Sequence, residues 1–256
     1  MQNFLEVLSQ YRDGIVAAAS GIGTTLSVTA GALVIGVVLG LVMALGKMSK
    51  HRPARWIANI FIEVVRGTPL FVQVLILAYG APVIISSILS LVTGEPTKFN
   101  WNPIVVVGVI ACGINSGAYQ AEIIRSGIQA INKGQVEASR SLGMSGGQTM
   151  RFIVLPQAFR VIMPALANEF VTLIKETSIL SYIGIVEITR QGQLLQAHTF
   201  QPFPAFIGVA VIYMCMTIPL SRWVAYMEVR MGPTGNIRKK RRASENSFNK
   251  KVGDVA

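Results

Sequence analysis

Apolar residues along this chain come in long unbroken runs rather than in alternation or short clusters. From Gly14 to Gly46 no charged residue occurs, and 24–46 is dense in Val, Leu, Ala and Gly. A hydrocarbon layer about 30 Å thick is crossed by roughly 20 apolar residues in helical form, so this stretch predicts a first membrane span. The same criterion predicts spans over 56–79, 103–123, 161–186 and 206–223. The expectation is an all-α integral membrane protein with five transmembrane helices. Residues 1–22 are too polar at their start for a separate span, and they lack the basic opening of a cleaved signal peptide. The run 81–94 is too short to cross alone and is expected to lie at the interface or pack on the bundle. Inside the second span, Gly67-Thr68-Pro69 predicts a break, because proline removes a donor and clashes with the turn before it.

Between the third and fourth spans lies a polar but patterned stretch, Ser126 to Arg160. Ile128, Ile131, Val136 and Leu142 recur there at helical intervals. A short amphipathic helix is expected over 135–143, with Gly143 as its C-terminal stop. A second helix is expected to enter the membrane near Pro156. Two readings of the short helix stand side by side: a helix lying on lipid, or a docking helix for a cytoplasmic partner.

Charge fixes an expected orientation. Of the 256 residues, 52% are hydrophobic and 14% charged, against roughly 25% charged in a soluble domain. Lys47, Lys50, Arg52 and Arg55 follow the first span; Arg125, Lys133, Arg140, Arg151 and Arg160 follow the third; Arg222, Arg230 and the run Arg238–Arg242 follow the fifth. The other two loops hold Glu95 with Lys98, and Glu187 with Arg190. Basic loops face the cytoplasm, so the N-terminus is expected outside and the C-terminus inside. A transmembrane domain over 1–235 is then followed by a disordered basic tail, 236–256, whose lysines and arginines would meet anionic headgroups rather than nucleic acid. Cys112 and Cys215 both lie in apolar runs and read as buried hydrophobes. His51 and His198 are too far apart in sequence to suggest a metal site.

The docking reading gains weight from particular residues. Glu137-Ala138-Ser139, then Gly143, then Ile153-x-Leu155-Pro156, resembles the EAA loop of ABC importer permeases, with Ser139 in place of the second alanine. Glu63-Val-Val-Arg-Gly-Thr-Pro-Leu-Phe-Val-Gln73 is similar to the span-two phrase of the polar amino acid permeases. The runs Ser116–Gly127 and Ile174–Leu180 are similar to that family too. The resemblance implies a pore built from two permease subunits, identical or homologous, with two ATP-binding cassette subunits docked on the EAA helices. It also implies an extracytoplasmic amino-acid-binding protein, and ATP and Mg used by the ATPase subunits rather than bound by this chain. Glu137, Ala138, Ser139, Gly143, Leu155 and Pro156 are the coupling residues it implies.

Charges inside spans are costly and are kept by a partner or by a task. Glu63 with Arg66, and Glu122 with Arg125, stand three apart and are expected to pair structurally. Glu169, Lys175 and Glu176, helped by Thr172, Thr177 and Ser178, are the candidates for the substrate path, since a zwitterionic solute offers both signs. A buried ion-pair network holding the fourth span is the alternative. Met144-Ser-Gly-Gly-Gln148 looks like the signature of an ABC ATPase, but no phosphate loop accompanies it, so its glycines are expected to serve a stop and a turn. The chain is not expected to be an enzyme. A secondary transporter would have no use for an EAA loop, and neither a hydrolase motif nor a channel filter is present.

Overall fold

A computed structural model describes residues 2–231 of the chain, with side chains from Glu6 onward. The expected tail, 236–256, lies outside the described residues. The helices in chain order are α1 (Gln2–Ala19), α2 (Ile22–Met48), α3 (Arg52–Gly67), α4 (Leu70–Leu75), α5 (Ala81–Thr93), α6 (Val105–Gln129), α7 (Lys133–Ser141), α8 (Gly146–Gln148), α9 (Leu155–Glu176), α10 (Ile188–Thr199) and α11 (Pro202–Met231). No strand occurs among the described residues. Four segments are long and apolar enough to cross a membrane: Glu6–Met48, Leu70–Thr93, Gly146–Ile183 and Pro202–Met231. The first would extend about 65 Å as one straight helix. It is instead interrupted by a turn at Ser20 and Gly21, where Gly21 packs on the backbone of Glu187 and Ile188. α6, expected as the third span, is not among the four; from its middle onward it carries the polar Asn115, Ser116, Gln120 and Glu122.

The second span differs from expectation. α3 stops at Gly67, Thr68 and Pro69 are extended, and a new helix starts at Leu70. From there helix continues to Thr93 through a π-turn, Ile76–Gly80, so 81–94 is not a separate interfacial piece and 56–79 is not one span. The π-turn has a cause. Pro82 lacks an amide hydrogen and would crowd the carbonyl four residues back, Ala78, in a regular α-helix. A wider turn relieves that conflict, and the Trp101 indole donates to the Leu77 carbonyl inside it at 2.8 Å. The same device recurs at Thr149–Val154, ahead of Pro156.

The packing divides the chain into two units: residues up to Arg125 with Glu169–Pro219, and Ser126–Asn168 with the chain from Leu220. In the larger unit, Val28, Ala32, Val74, Val107, Ala111, Cys112, Leu173 and Leu180 form the main core. α2 and α6 meet along small residues, with Gly113 against Ile35, Gly117 against Leu39, and Gly36 and Gly40 against Gln120. Lipid gives no hydrophobic drive to bring helices together, so close backbone approach supplies the packing energy. Cys215, expected to be buried, is exposed on α11; an apolar solvent makes that position acceptable for a weakly polar side chain.

In the smaller unit the helical segment that leads to Pro156 starts at Gly146, capped by Ser145. Ser145 Oγ accepts from the Gln148 amide at 3.3 Å, and Gln148 Oε1 accepts from the Ser145 amide at 2.7 Å. Met144–Gln148 therefore holds a reciprocal capping box.

Candidate functional site

Two groups of residues carry the candidate chemistry, one in each unit. The first is built on α7. Asn132 caps its start by accepting from the Gly134 amide at 2.8 Å. Its end is a Schellman turn: the Met144 amide donates to the Ser139 carbonyl at 3.1 Å, and the Gly143 amide to the Arg140 carbonyl at 3.0 Å. Gly143 has φ +85°, a left-handed conformation, with open space where a side chain would stand. Glu137 and Ala138 are exposed, and Leu142 is 84% exposed. Leu155 and Pro156 are exposed as well.

Ser139 is the exception among these residues. It is buried, its hydroxyl within 2.8 Å of the Val136 carbonyl and 2.9 Å from Thr149 Oγ1. Its place is on the inner side of α7, pinning the helix to the π-turn at Thr149–Val154. The Gln157 amide adds a second pin, donating to Gln135 Oε1 at 2.6 Å. A serine where the resembling pattern has alanine is thus used internally, and it leaves the outer face unchanged.

The second group lies in the larger unit. Glu169 and Glu176 stand seven residues apart on α9, about two turns, and so share one face. Ser116 donates to Glu169 Oε1 at 3.0 Å. Lys175 is exposed and takes part in no ion pair among the described residues. The structure does not bring it into an ion pair with Glu169 or Glu176. Thr177 is buried and donates to the Ile174 carbonyl at 2.7 Å, which spends it on the helix end. Thr172 and Ser178 are half-buried on the same segment.

The two expected structural pairs part company. Glu122 accepts from Lys47 Nζ and from Arg125, each at 2.6 Å, so one carboxylate gathers two cations. Glu63 and Arg66 do not pair. Both are exposed, and the Arg66 guanidinium lies 5.2 Å from the centre of the Tyr119 ring. Spacing along α3 permits a Glu–Arg contact, but a facing aromatic on α6 offers the guanidinium a flat surface instead.

Sequence reasoning missed four polar side chains on the inner faces of α4 and α6. Gln73 donates from Nε2 to the Val65 carbonyl at 2.7 Å and to Thr68 Oγ1 at 2.8 Å, and accepts from Asn115 Nδ2 at 3.1 Å. It satisfies the carbonyl end of α3 where the helix breaks, as an apolar environment requires. Asn115, Ser116 and Gln120 are buried on α6. The available signal was the cost of placing amides in a span.

Residues 36–233 match the family described as binding-protein-dependent transport system inner membrane component. The chain is 37% identical over 201 residues to the arginine transport system permease protein of Bacillus subtilis, covering 78% of this chain and 86% of that one. It is 37% identical over 206 residues to the glutamine transport system permease protein of Escherichia coli, covering 79% and 85%. A crystal structure of an amino acid ABC transporter with histidines superposes with a TM-score of 0.74 at 40% identity, covering 90% of this chain and 97% of that one.

Proposed function

The chain belongs to the family of binding-protein-dependent inner membrane transport components, and from that premise we propose that it forms the membrane path of an ATP-driven importer for a polar amino acid. The observation that carries the coupling half of this reading is α7. It is a rigid, doubly pinned helix whose outer face, Glu137, Ala138 and Leu142, is bare and whose end is fixed by a left-handed glycine. A short rigid helix transmits a push that a loose loop would absorb. A separate ATP-hydrolysing subunit is its partner, present twice beside two permease chains, identical or homologous, and ATP and Mg belong to that subunit. An extracytoplasmic binding protein delivers the solute.

The path half rests on the face of α9. Glu169 and Glu176 present carboxylates inside an apolar helix, where a charge is kept by a task, and a solute ammonium is the matching group. Thr172 and Ser178 supply neutral polar contacts. The relatives' names, arginine in one case and glutamine in the other, support an amino acid and leave its side chain open. Five crossings follow if α6 is counted as the third, its inward amides explaining its lower apolarity. The N-terminus is then outside and the C-terminus cytoplasmic, by the alternation of basic loops.

Single cysteines in a background lacking Cys112 and Cys215 test orientation and docking together. A membrane-impermeant maleimide should label Glu95→Cys in intact cells and spare Glu137→Cys. A cysteine at Glu137 or Leu142 should crosslink to a cysteine introduced in the copurifying ATPase, and one at Ser139 should not. Labelling of Glu137→Cys from outside, or crosslinking of all three positions alike, contradicts this reading.

A further inference from the structure

Behind Glu169 runs a line of side chains that cannot themselves meet a solute. The Gln120 amide donates from Nε2 to Ser116 Oγ at 2.8 Å, and the Ser116 hydroxyl donates to Glu169 Oε1 at 3.0 Å. Gln120 and Ser116 are both fully buried on α6, one turn apart. Gln120 lies in a notch on α2 made by two glycines four residues apart. A methyl group at Gly36 would stand 2.5 Å from Gln120 Nε2 and 3.2 Å from Ser116 Oγ; one at Gly40 would stand 2.8 Å from Gln120 Cβ. No larger residue fits either place with the amide where it is.

Hydroxyls on the helices of this chain have a habitual bond. Thr29 donates to the Thr25 carbonyl, Ser86 to Pro82 and Thr217 to Tyr213, in each case four residues back, as helical Ser and Thr commonly do. Ser116 instead points across to another helix. The difference lies at its oxygen: Gln120, four residues on, places an N–H against it and directs the remaining proton forward. The amide also carries a cost, because Gln120 Oε1 is buried with no partner, and an unpaired buried acceptor is unfavourable. A methionine or leucine would fill the notch without that cost, so packing does not account for glutamine.

We propose that Gln120 is a positioning residue. Seated against Gly36 and Gly40, it orients the Ser116 hydroxyl onto Glu169, and so fixes the direction in which that carboxylate meets the ammonium of the transported solute. The proposal rests on the reading of Glu169 as a path residue.

The test is concentration-dependent, ATP-driven uptake by the assembled transporter in proteoliposomes. Gln120→Met, similar in length and unable to donate, should raise KM about tenfold, with kcat falling less than twofold and normal assembly. Ser116→Ala should match it. Gly36→Ala should do the same by displacing the amide, and Gly36→Ala with Gln120→Met should be no worse than either alone, because both act through one group. A KM unchanged in Gln120→Met while Glu169→Gln raises it would overturn the relay and leave the path reading standing. Additive losses in assembly at constant KM would reduce the line to packing. An unchanged KM in Glu169→Gln itself would remove both.

Discussion

Gly143→Val is expected to reduce ATP-driven uptake more than tenfold and to release the ATPase subunit from the membrane, while the permease itself stays inserted. At φ +85° a glycine is at ease, and a β-branched residue is a severe outlier. The local strain is only about 1–2 kcal/mol, and open space around the position means no steric clash adds to it. The larger loss comes from geometry. The Gly143 turn aims the outer face of α7 and leads within two residues into the Ser145 cap of the next helix. A valine that unwinds this turn redirects both, and the docked face is lost as a unit. Gly143→Asn is the control, since asparagine tolerates the left-handed region; it should retain most uptake and hold the ATPase in a pull-down. Equal behaviour of the valine variant and the parent would show that the turn does not set coupling.

Glu187→Ala should lower the unfolding midpoint of the purified protein by roughly 5–10 °C, the consequence of about 3 kcal/mol. Glu187 is fully buried at the start of α10. Its carboxylate accepts from the Thr189 and Arg190 amides and from the Tyr213 hydroxyl, each at 2.8 Å. One side chain thus caps α10 and ties it to α11. Alanine removes the acceptor of the Thr189 and Arg190 amides at a buried helix start and leaves the Tyr213 hydroxyl only Thr189 Oγ1, 3.2 Å away. Glu187→Gln keeps an acceptor oxygen and should lose less than half as much. A midpoint unchanged in Glu187→Ala, measured in detergent by intrinsic fluorescence, would mean that these donors find other partners.

Glu187 also shows where sequence reasoning stops. By charge counting it was one of two charges in a near-neutral loop, yet it is the polar centre of a helix junction. Nothing local marks it, because Tyr213 stands 26 residues away. Features with a local cause were legible. The break at Thr68-Pro69 and the stop at Gly143 follow from residue types whose backbone preferences leave little choice. The continuation of helix through Pro82 was not, since it depends on a π-turn steadied by Trp101 from a distant segment. Arg66 chose Tyr119 over the nearer Glu63 for the same kind of reason. The short helix and its exposed Glu137 and Ala138 were legible as a pattern, but the inward turn of Ser139 required its partner, Thr149. The polar line on α6 was the largest omission: Asn115, Ser116 and Gln120 carry no charge, and attention to charged residues passed over them.

The central claim is that this chain carries an amino acid inward at the expense of ATP hydrolysed by a partner. Uptake of a panel of radiolabelled amino acids into proteoliposomes tests it most directly, with the chain reconstituted beside its copurifying subunits and ATP on the ATPase side. The account predicts accumulation of at least one polar amino acid against its gradient, abolished without ATP, without the external binding protein, or with Gly143→Val. Equilibration down the gradient at the same rate with and without ATP would contradict it.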